Sequence, residues 1–196
     1  MADIKSAREI AMEKIEKLGE ATAEERLRWK YVPEGEQLAA RYLKQGCNLT
    51  VELGHYEKTE RKYVAIGISG ILIRNINLPK NDLTKKNNKQ AMDGLKNLKN
   101  DKVAVENVYS KMRRIFNHYE EQGEQQRNQA YESLKAEFEA KVQKAVQQQL
   151  GTSMGIRIDV ERQPQFQEEW RKVQTQLDSQ YIQLLNEYKQ ELSGIV

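Results

Sequence analysis

The chain of 196 residues is 31% charged and 38% apolar, with only three prolines, and this composition favours an elongated protein of long helices. No run approaches the roughly eighteen apolar residues of a membrane span, and the first twenty residues lack the apolar core of a secretory signal. A single cysteine, Cys47, excludes a disulfide framework and a multi-cysteine metal site. We therefore expect a cytoplasmic protein that does not insert into a membrane.

Positive charge is concentrated in one segment of the chain. The net charge is +3, but residues 80–114 hold ten Lys or Arg against four Asp or Glu. Such a basic stripe can be the footprint of a polyanion such as a nucleic acid. The simpler alternative is a solvated face, or pairing with acidic patches elsewhere in the molecule. The candidate polyanion-binding residues are Lys85, Lys86, Lys89, Arg113 and Arg114.

The first part of the chain has the pattern of short helices separated by helix breakers. A capping box at residues 6–9 predicts a helix over residues 6–18. A second capping box at residues 22–25 predicts another helix, which Pro33 is expected to end because its ring disfavours helix in the preceding residue. A further helical piece follows and stops at Gly46.

Residues 62–78 are compatible with either a strand or a helix. Val64, Ile66 and Ile68 alternate with smaller or polar residues, which is a strand pattern. On a helix, Val64, Ile68 and Leu72 would lie above one another, and the small residues nearby would let another helix approach closely. We favour the helix, because an isolated hairpin is only marginally stable in water. The stretch "KNDLTKKNNK" after Pro79 is predicted to be a loop.

Two long helices are predicted in the second half of the chain. Apolar residues at helical spacing predict the first over about residues 101–150, interrupted by the polar stretch "YEEQGEQQRNQ" at residues 119–129. The second opens at Pro164 and carries a stripe at nearly heptad spacing, which is typical of a coiled coil. The stripe consists of Phe166, Trp170, Val173, Leu177, Tyr181, Leu184, Tyr188 and Leu192.

These two helices are expected to form an antiparallel coiled-coil hairpin. If Leu150 lies opposite Phe166, then Tyr188 faces about Asn128, and the shorter helix ends where the polar stretch begins. The sequence thus predicts a mainly α protein with two parts. They are a helical body of residues 1–118 and a stalk of residues 119–196, with a tip loop at about 151–163.

The tip is the predicted partner-binding site. It carries four apolar side chains at the far end of a thin stalk, where little core can cover them, and a short β element there could pair with a second chain. The four residues are Met154, Ile156, Ile158 and Val160.

No residue is assigned a catalytic, cofactor-binding or metal-binding role. Glu52 and His55 form half of the pair of motifs that a di-iron bundle needs, but Ile115 stands where His118 would require a glutamate. A Cys47 nucleophile with a histidine base is formally possible, and a small buried apolar cysteine is the simpler reading.

Several passages are similar to an uncharacterised bacterial family with no assigned activity. They are "SAREIAMEKIEKLGEAT", "ILIRNINLPKN", "FNHYEEQGEQQR" and "FQEEWRKV". This resemblance covers nearly the whole chain, implies a stand-alone cytoplasmic protein with a C-terminal helical hairpin, and supplies no site residues. The hairpin with a strand-like tip also resembles prefoldin-type chaperones.

The expected function is that of a non-enzymatic scaffold or adaptor. It would form a homodimer or higher oligomer, or bind another protein, through the stalk and its tip. The alternative is a nucleic-acid or ribosome-associated factor that uses residues 80–114. A prefoldin-like holdase is a further alternative, and an enzyme is the least favoured class.

Overall fold

The computed structural model describes residues 21–150 and 159–195, and the chain is mainly α-helical. No strand occurs within those two ranges. The helix predicted over residues 6–18 and the tip residues Met154, Ile156 and Ile158 lie outside the described residues. The helices are α1 (Ala23–Gln45), α2 (Leu49–Gly54), α3 (Lys58–Arg74), α4 (Asp82–Leu98), α5 (Lys102–Leu150) and α6 (Pro164–Gly194), with a 3₁₀ turn at Val160–Arg162.

The chain divides into two compact units, Met1–Leu72 and Ile73–Val196, near the end of α3. The predicted division after residue 118 instead falls inside α5, which continues across that position without a break. It also falls inside the second compact unit, so the predicted division and the compact units do not coincide.

In the first unit, α1 is one continuous helix. The Thr22 hydroxyl accepts a hydrogen bond from the Glu25 amide at 3.2 Å, as the predicted capping box requires, and Gly46 ends the helix with a φ of 73°. Pro33 lies inside the helix, so the predicted break there is wrong. An internal proline costs about 3 kcal/mol. We attribute its tolerance to the burial of residues around it, including Tyr31 and Leu38.

Helices α1 and α3 cross with their backbones in contact. A Cβ atom added to Gly35 would lie 2.1 Å from the Val64 carbonyl oxygen, and one added to Gly67 would lie 2.2 Å from the Val32 carbonyl oxygen. Only glycine fits at either position. The helix favoured for residues 62–78 is confirmed up to Arg74, where α3 ends, and residues 75–78 lie outside it. On it, Val64, Ile68 and Leu72 are completely buried.

In the second unit, α4 replaces the loop predicted after Pro79. Asn81 caps it by accepting a hydrogen bond from the Thr84 amide at 2.8 Å. The first turns of α4 are mostly solvent-exposed, which explains why their polar sequence resembled a loop. Asn88 is the exception. It is buried and bonds both backbone groups of Asn77, at 2.8 and 2.6 Å, so it holds the segment before α4 in place.

Helices α5 and α6 pack antiparallel through aromatic side chains. Phe166, fully buried at the start of α6, contacts Tyr131 and Phe138 with ring centroids 5.6 and 5.4 Å apart. Near the middle of α6, Tyr181 contacts Tyr119 with ring centroids 5.1 Å apart. Lys111 lies still closer to the start of α5, and its ammonium pairs with Glu191 at 2.8 Å.

The register of this pair differs from the prediction. Tyr188 lies against Lys111, with 5.6 Å between the ammonium nitrogen and the ring centroid, and not opposite Asn128. From 128 to 111 the shift is seventeen positions along α5. Helix α6 therefore runs past the whole of the polar stretch at residues 119–129. The interpretation of that stretch as the place where the partner helix ends is wrong.

Candidate functional site

The polar stretch of α5 forms one wall of a cleft of about 680 Å³ in the second unit. Here this space is called the Asp178 cleft. Its other walls are the segment before α4, the first turn of α4, and one face of α6. From the polar stretch it is lined by Tyr119, Glu120, Glu124, Arg127 and Asn128. Polar side chains of this stretch therefore line an open space between helices and do not fill a packed seam.

Asp178 is the most deeply buried charged group of this cleft. Its side chain is only 5% exposed, and its Oδ2 atom accepts a hydrogen bond from the Lys80 ammonium at 2.6 Å. Its Oδ1 atom is buried and has no donor among the described residues. Leaving a charged acceptor buried without a donor costs at least about 1–3 kcal/mol. An acceptor of this kind is therefore a place where a bound group would be stabilised.

Tyr119 and Arg127 are stacked beside Asp178. The Arg127 guanidinium lies 4.2 Å above the Tyr119 ring centroid, and it donates to the Tyr119 carbonyl oxygen at 3.3 Å. Burial, together with the negative charge of Asp178, raises the pKa of Tyr119 to about 12. The hydrogen bond between the Tyr119 hydroxyl and the Asp178 side chain also raises this pKa, so Tyr119 stays protonated at neutral pH.

Gly123 lets this arrangement fit against α6. A Cβ atom at position 123 would lie 3.0 Å from the Arg127 Nη1 atom and 3.3 Å from the Tyr181 hydroxyl. The glycine thus serves close packing against α6 within the continuous helix α5.

A second groove, of about 830 Å³, also runs between α5 and α6 and is more apolar. Here it is called the α5–α6 groove. On the α6 side, Val173 and Leu177 are half-buried and Leu184 is 42% exposed. On the α5 side, His118 Nδ1 lies 2.9 Å from the Tyr181 hydroxyl. The groove is a strip of apolar surface that these two helices leave uncovered.

The predicted polyanion-binding residues do not form one surface. Lys85 pairs with Glu120 at 2.8 Å, and Arg113 pairs with Glu106. Arg114 lines the α5–α6 groove. Lys85, Lys89 and Arg113 do share a cavity of about 470 Å³ between α4 and α5. Three carboxylates line the same cavity, so much of the predicted positive stripe is neutralised within the molecule.

The four predicted tip residues are only partly described. Val160 lies in the 3₁₀ turn and is 2% exposed, so the prediction that it is exposed is wrong. It is held beside an ion pair in which the Lys135 ammonium contacts Glu161 at 2.5 Å. A partner-binding role for Met154, Ile156 and Ile158 stays a prediction, because they lie outside the described residues.

The histidine and cysteine sites weighed from the sequence gain no support. Glu52 accepts a hydrogen bond from the Arg41 guanidinium at 2.8 Å, which gives it a structural role in the first unit. In the part of the chain that the structure describes, no three His, Cys, Asp or Glu side chains come together as metal ligands. The same residues contain no helix that is both long enough and apolar enough to span a bilayer.

Sequence reasoning missed the Asp178 cleft. The only signal was one acidic residue, Asp178, directly after Leu177 in the apolar stripe of α6. Its partner Lys80 is 98 positions away in the sequence. The pair becomes visible only once the register of α5 and α6 is known.

Comparison with known proteins places the chain in a family but assigns no activity. Residues 50–194 match the model of a family of unknown function (DUF6657), so the chain belongs to that family. No curated protein and no solved structure matches the chain. The Asp178 cleft and the α5–α6 groove are the features of this chain that bear on its function.

Proposed function

We propose that this DUF6657 member is a non-enzymatic scaffold that self-associates through the α5–α6 groove, with α5 and α6 acting as an antiparallel coiled-coil stalk. The observation that carries the proposal is the apolar strip that α5 and α6 leave uncovered, at Val173, Leu177 and Leu184. The proposed occupant of the groove is the same strip of a second copy.

Helix α5 covers only part of the apolar stripe of α6. On α6 the buried residues are Phe166, Asp178, Leu185 and Leu192, whereas the remaining apolar residues of the stripe are half-buried or exposed. Two helix pairs that bury such stripes against each other form a four-helix bundle. A two-fold dimer is the commonest closed arrangement of identical chains, and it uses the same patch on both copies.

The charges along the groove fit an antiparallel two-fold contact. Lys111, Arg114 and His118 line the end of the groove near Tyr188, while Gln126 lines the other end, near Val173. In an antiparallel dimer, the cationic end of one copy meets the uncharged end of the other. Like charges of the two copies are then kept apart, which a parallel arrangement would not allow.

The test compares two substitutions on nearly opposite faces of α6. Leu184 is 42% exposed in the groove, and Ile182 is 43% exposed outside it, so the two differ in position and not in exposure. We expect Leu184→Glu to raise the dimer dissociation constant at least about tenfold, because it places an unpaired charge in an apolar contact. Ile182→Glu should leave the dimer unchanged. Molar mass by light scattering across a concentration series measures both.

Two results would contradict the proposal. One is a wild-type chain that stays monomeric at the highest concentration reached. The other is a dimer whose dissociation constant is unchanged by Leu184→Glu, or is raised equally by Leu184→Glu and Ile182→Glu. Circular dichroism of each variant checks that the helices are intact.

Polyanion binding is the second candidate function. Its supporting observation is that Lys86 and Lys89 have no carboxylate partner among the described residues. Fluorescence anisotropy with a short RNA duplex, repeated at several salt concentrations, tests it. Binding should weaken steeply with salt, and Lys86→Gln with Lys89→Gln should lower the salt slope. Undetectable or salt-insensitive binding would remove this candidate.

A further inference from the structure

We propose that the Asp178 cleft binds a small organic cation through an ammonium group. The starting point is Asp178, which lines the cleft and whose Oδ1 atom is buried and lacks a donor among the described residues. An ammonium group supplies three hydrogen-bond donors and a positive charge. It would satisfy this oxygen with a charge-assisted hydrogen bond.

The charges of the cleft leave an unmatched negative potential. Four carboxylates and three cations line it. Lys80 is engaged by Asp178, Lys85 by Glu120, and Arg127 by the ring and carbonyl of Tyr119. Glu124 has no ion-pair partner within the described ranges. A bound anion would have to displace these contacts, whereas a cation would complete them.

The aromatic residues of the cleft favour the same class of ligand. An ammonium group is attracted to the face of an aromatic ring, and tryptophan is the strongest partner. The Tyr119 ring is already covered by Arg127 at 4.2 Å. Trp170 lines the cleft and is half-buried, and its ring forms a T-shaped pair with that of Tyr131, with centroids 5.0 Å apart. Of the two aromatic residues that line the cleft, Trp170 is the one without a cation over its ring among the described residues.

The volume suits a small organic molecule better than a bare ion. The cleft of about 680 Å³ falls in the range of small-molecule sites. A metal ion would need several carboxylate, histidine or cysteine ligands that converge on one point. No such group of three exists among the described residues.

The fluorescence of Trp170 provides the signal for a binding experiment. The chain has two tryptophans, and Trp29 is 66% exposed, so Trp29→Phe isolates the fluorescence of Trp170 without opening a core. The probes are putrescine and spermidine as amines, D-glucose as a neutral polyol, and inorganic phosphate as an anion. We expect a saturable change with the amines alone, and weaker binding as salt is added.

Asp178→Asn is the decisive variant, because it keeps the shape of the side chain and removes its charge. It should weaken amine binding about tenfold or more. The matched control is Glu169→Gln, which removes an equal charge from an exposed ion pair with Lys172 outside the cleft. That control should bind the amines as the parent does.

Several results of these binding experiments would contradict an ammonium site in the Asp178 cleft. Absence of saturable amine binding, preference for glucose or phosphate, or unchanged binding in Asp178→Asn would each overturn the proposal. If circular dichroism finds Asp178→Asn misfolded, the exposed rim residue Glu124 takes its place. Glu124→Gln should then weaken binding about two- to threefold. Leu184→Glu should not alter amine binding, so failure of the dimer proposal leaves this one standing.

Discussion

The two units of this protein join helices in different ways. In the first unit, α1 and α3 meet backbone to backbone at Gly35 and Gly67, where an added Cβ would be 2.1–2.2 Å from a carbonyl oxygen. In the second unit, α5 and α6 are held apart by aromatic side chains such as Phe166 and Tyr131. A glycine contact leaves no space for a ligand, whereas helices spaced by large side chains leave clefts between their ridges. Both candidate sites described above lie in the second unit.

The largest expected effect is on the aromatic packing of the second unit. Phe166→Ala removes a fully buried ring that contacts Tyr131 and Phe138. We expect a loss of about 3–5 kcal/mol in the free energy of unfolding. Urea unfolding followed by circular dichroism measures it. A loss below about 1 kcal/mol would indicate that α5 and α6 are not joined at this point.

Substitution at the glycine contact of the first unit should lower the free energy of unfolding nearly as much. Gly67→Ala places a Cβ 2.2 Å from a backbone oxygen that has no freedom to move away. We expect a loss of about 3 kcal/mol, at the upper end of overpacking costs. The matched control is Gly54→Ala, where nothing lies within 4 Å of the added atom. Equal urea midpoints for the two variants would contradict the backbone contact.

Alkaline pH should destabilise the second unit through Tyr119. Its folded-state pKa is raised to about 12 by burial and by Asp178, so the unfolded chain loses this proton first as pH rises. The contribution of Tyr119 to the free energy of unfolding is then constant below about pH 10 and falls between about pH 10 and 12. Tyr119→Phe should flatten part of this decline. The buried Tyr109, whose pKa is also raised, should maintain the rest. An identical pH profile in Tyr119→Phe would contradict the burial of this hydroxyl.

The smallest effect is expected at Gly123. Gly123→Ala gains about 1 kcal/mol in helix propensity but brings a Cβ within 3.0 Å of Arg127 and 3.3 Å of Tyr181. The two terms nearly cancel, so the unfolding free energy should change by less than about 1 kcal/mol. A loss above about 2 kcal/mol would mean that neither side chain can yield.

Sequence periodicity was sufficient for some of this fold. The capping box at Thr22 and the apolar spacing of the two long helices correctly predicted a helix at each place. Periodicity identifies which face of a helix is buried, but it does not set how far one helix is displaced along another. For this reason the predicted pairing of Tyr188 with Asn128 was wrong. The register is set by the aromatic contacts that Phe166 makes with Tyr131 and Phe138.

The remaining errors came from local rules that tertiary contacts overrode. Pro33 does not break α1, and the polar residues after Pro79 begin a helix. The Asp178 cleft lay beyond sequence reasoning, because its central ion pair joins residues 80 and 178. The polar stretch that forms one wall of the cleft could be recognised in the sequence. That it lines a cleft could be predicted only with the register of α5 and α6 known.

The register of α5 and α6 underlies both proposed sites, so its direct measurement is the central test. Cys47→Ser removes the single native thiol, and cysteine pairs are then introduced for a short bis-maleimide cross-linker. Lys111→Cys with Glu191→Cys should cross-link within one chain, because these side chains meet at 2.8 Å. Asn128→Cys with Tyr188→Cys should not, because residue 128 lies about 25 Å along α5 from residue 111. The reverse result, with only the second pair cross-linked, would contradict this account.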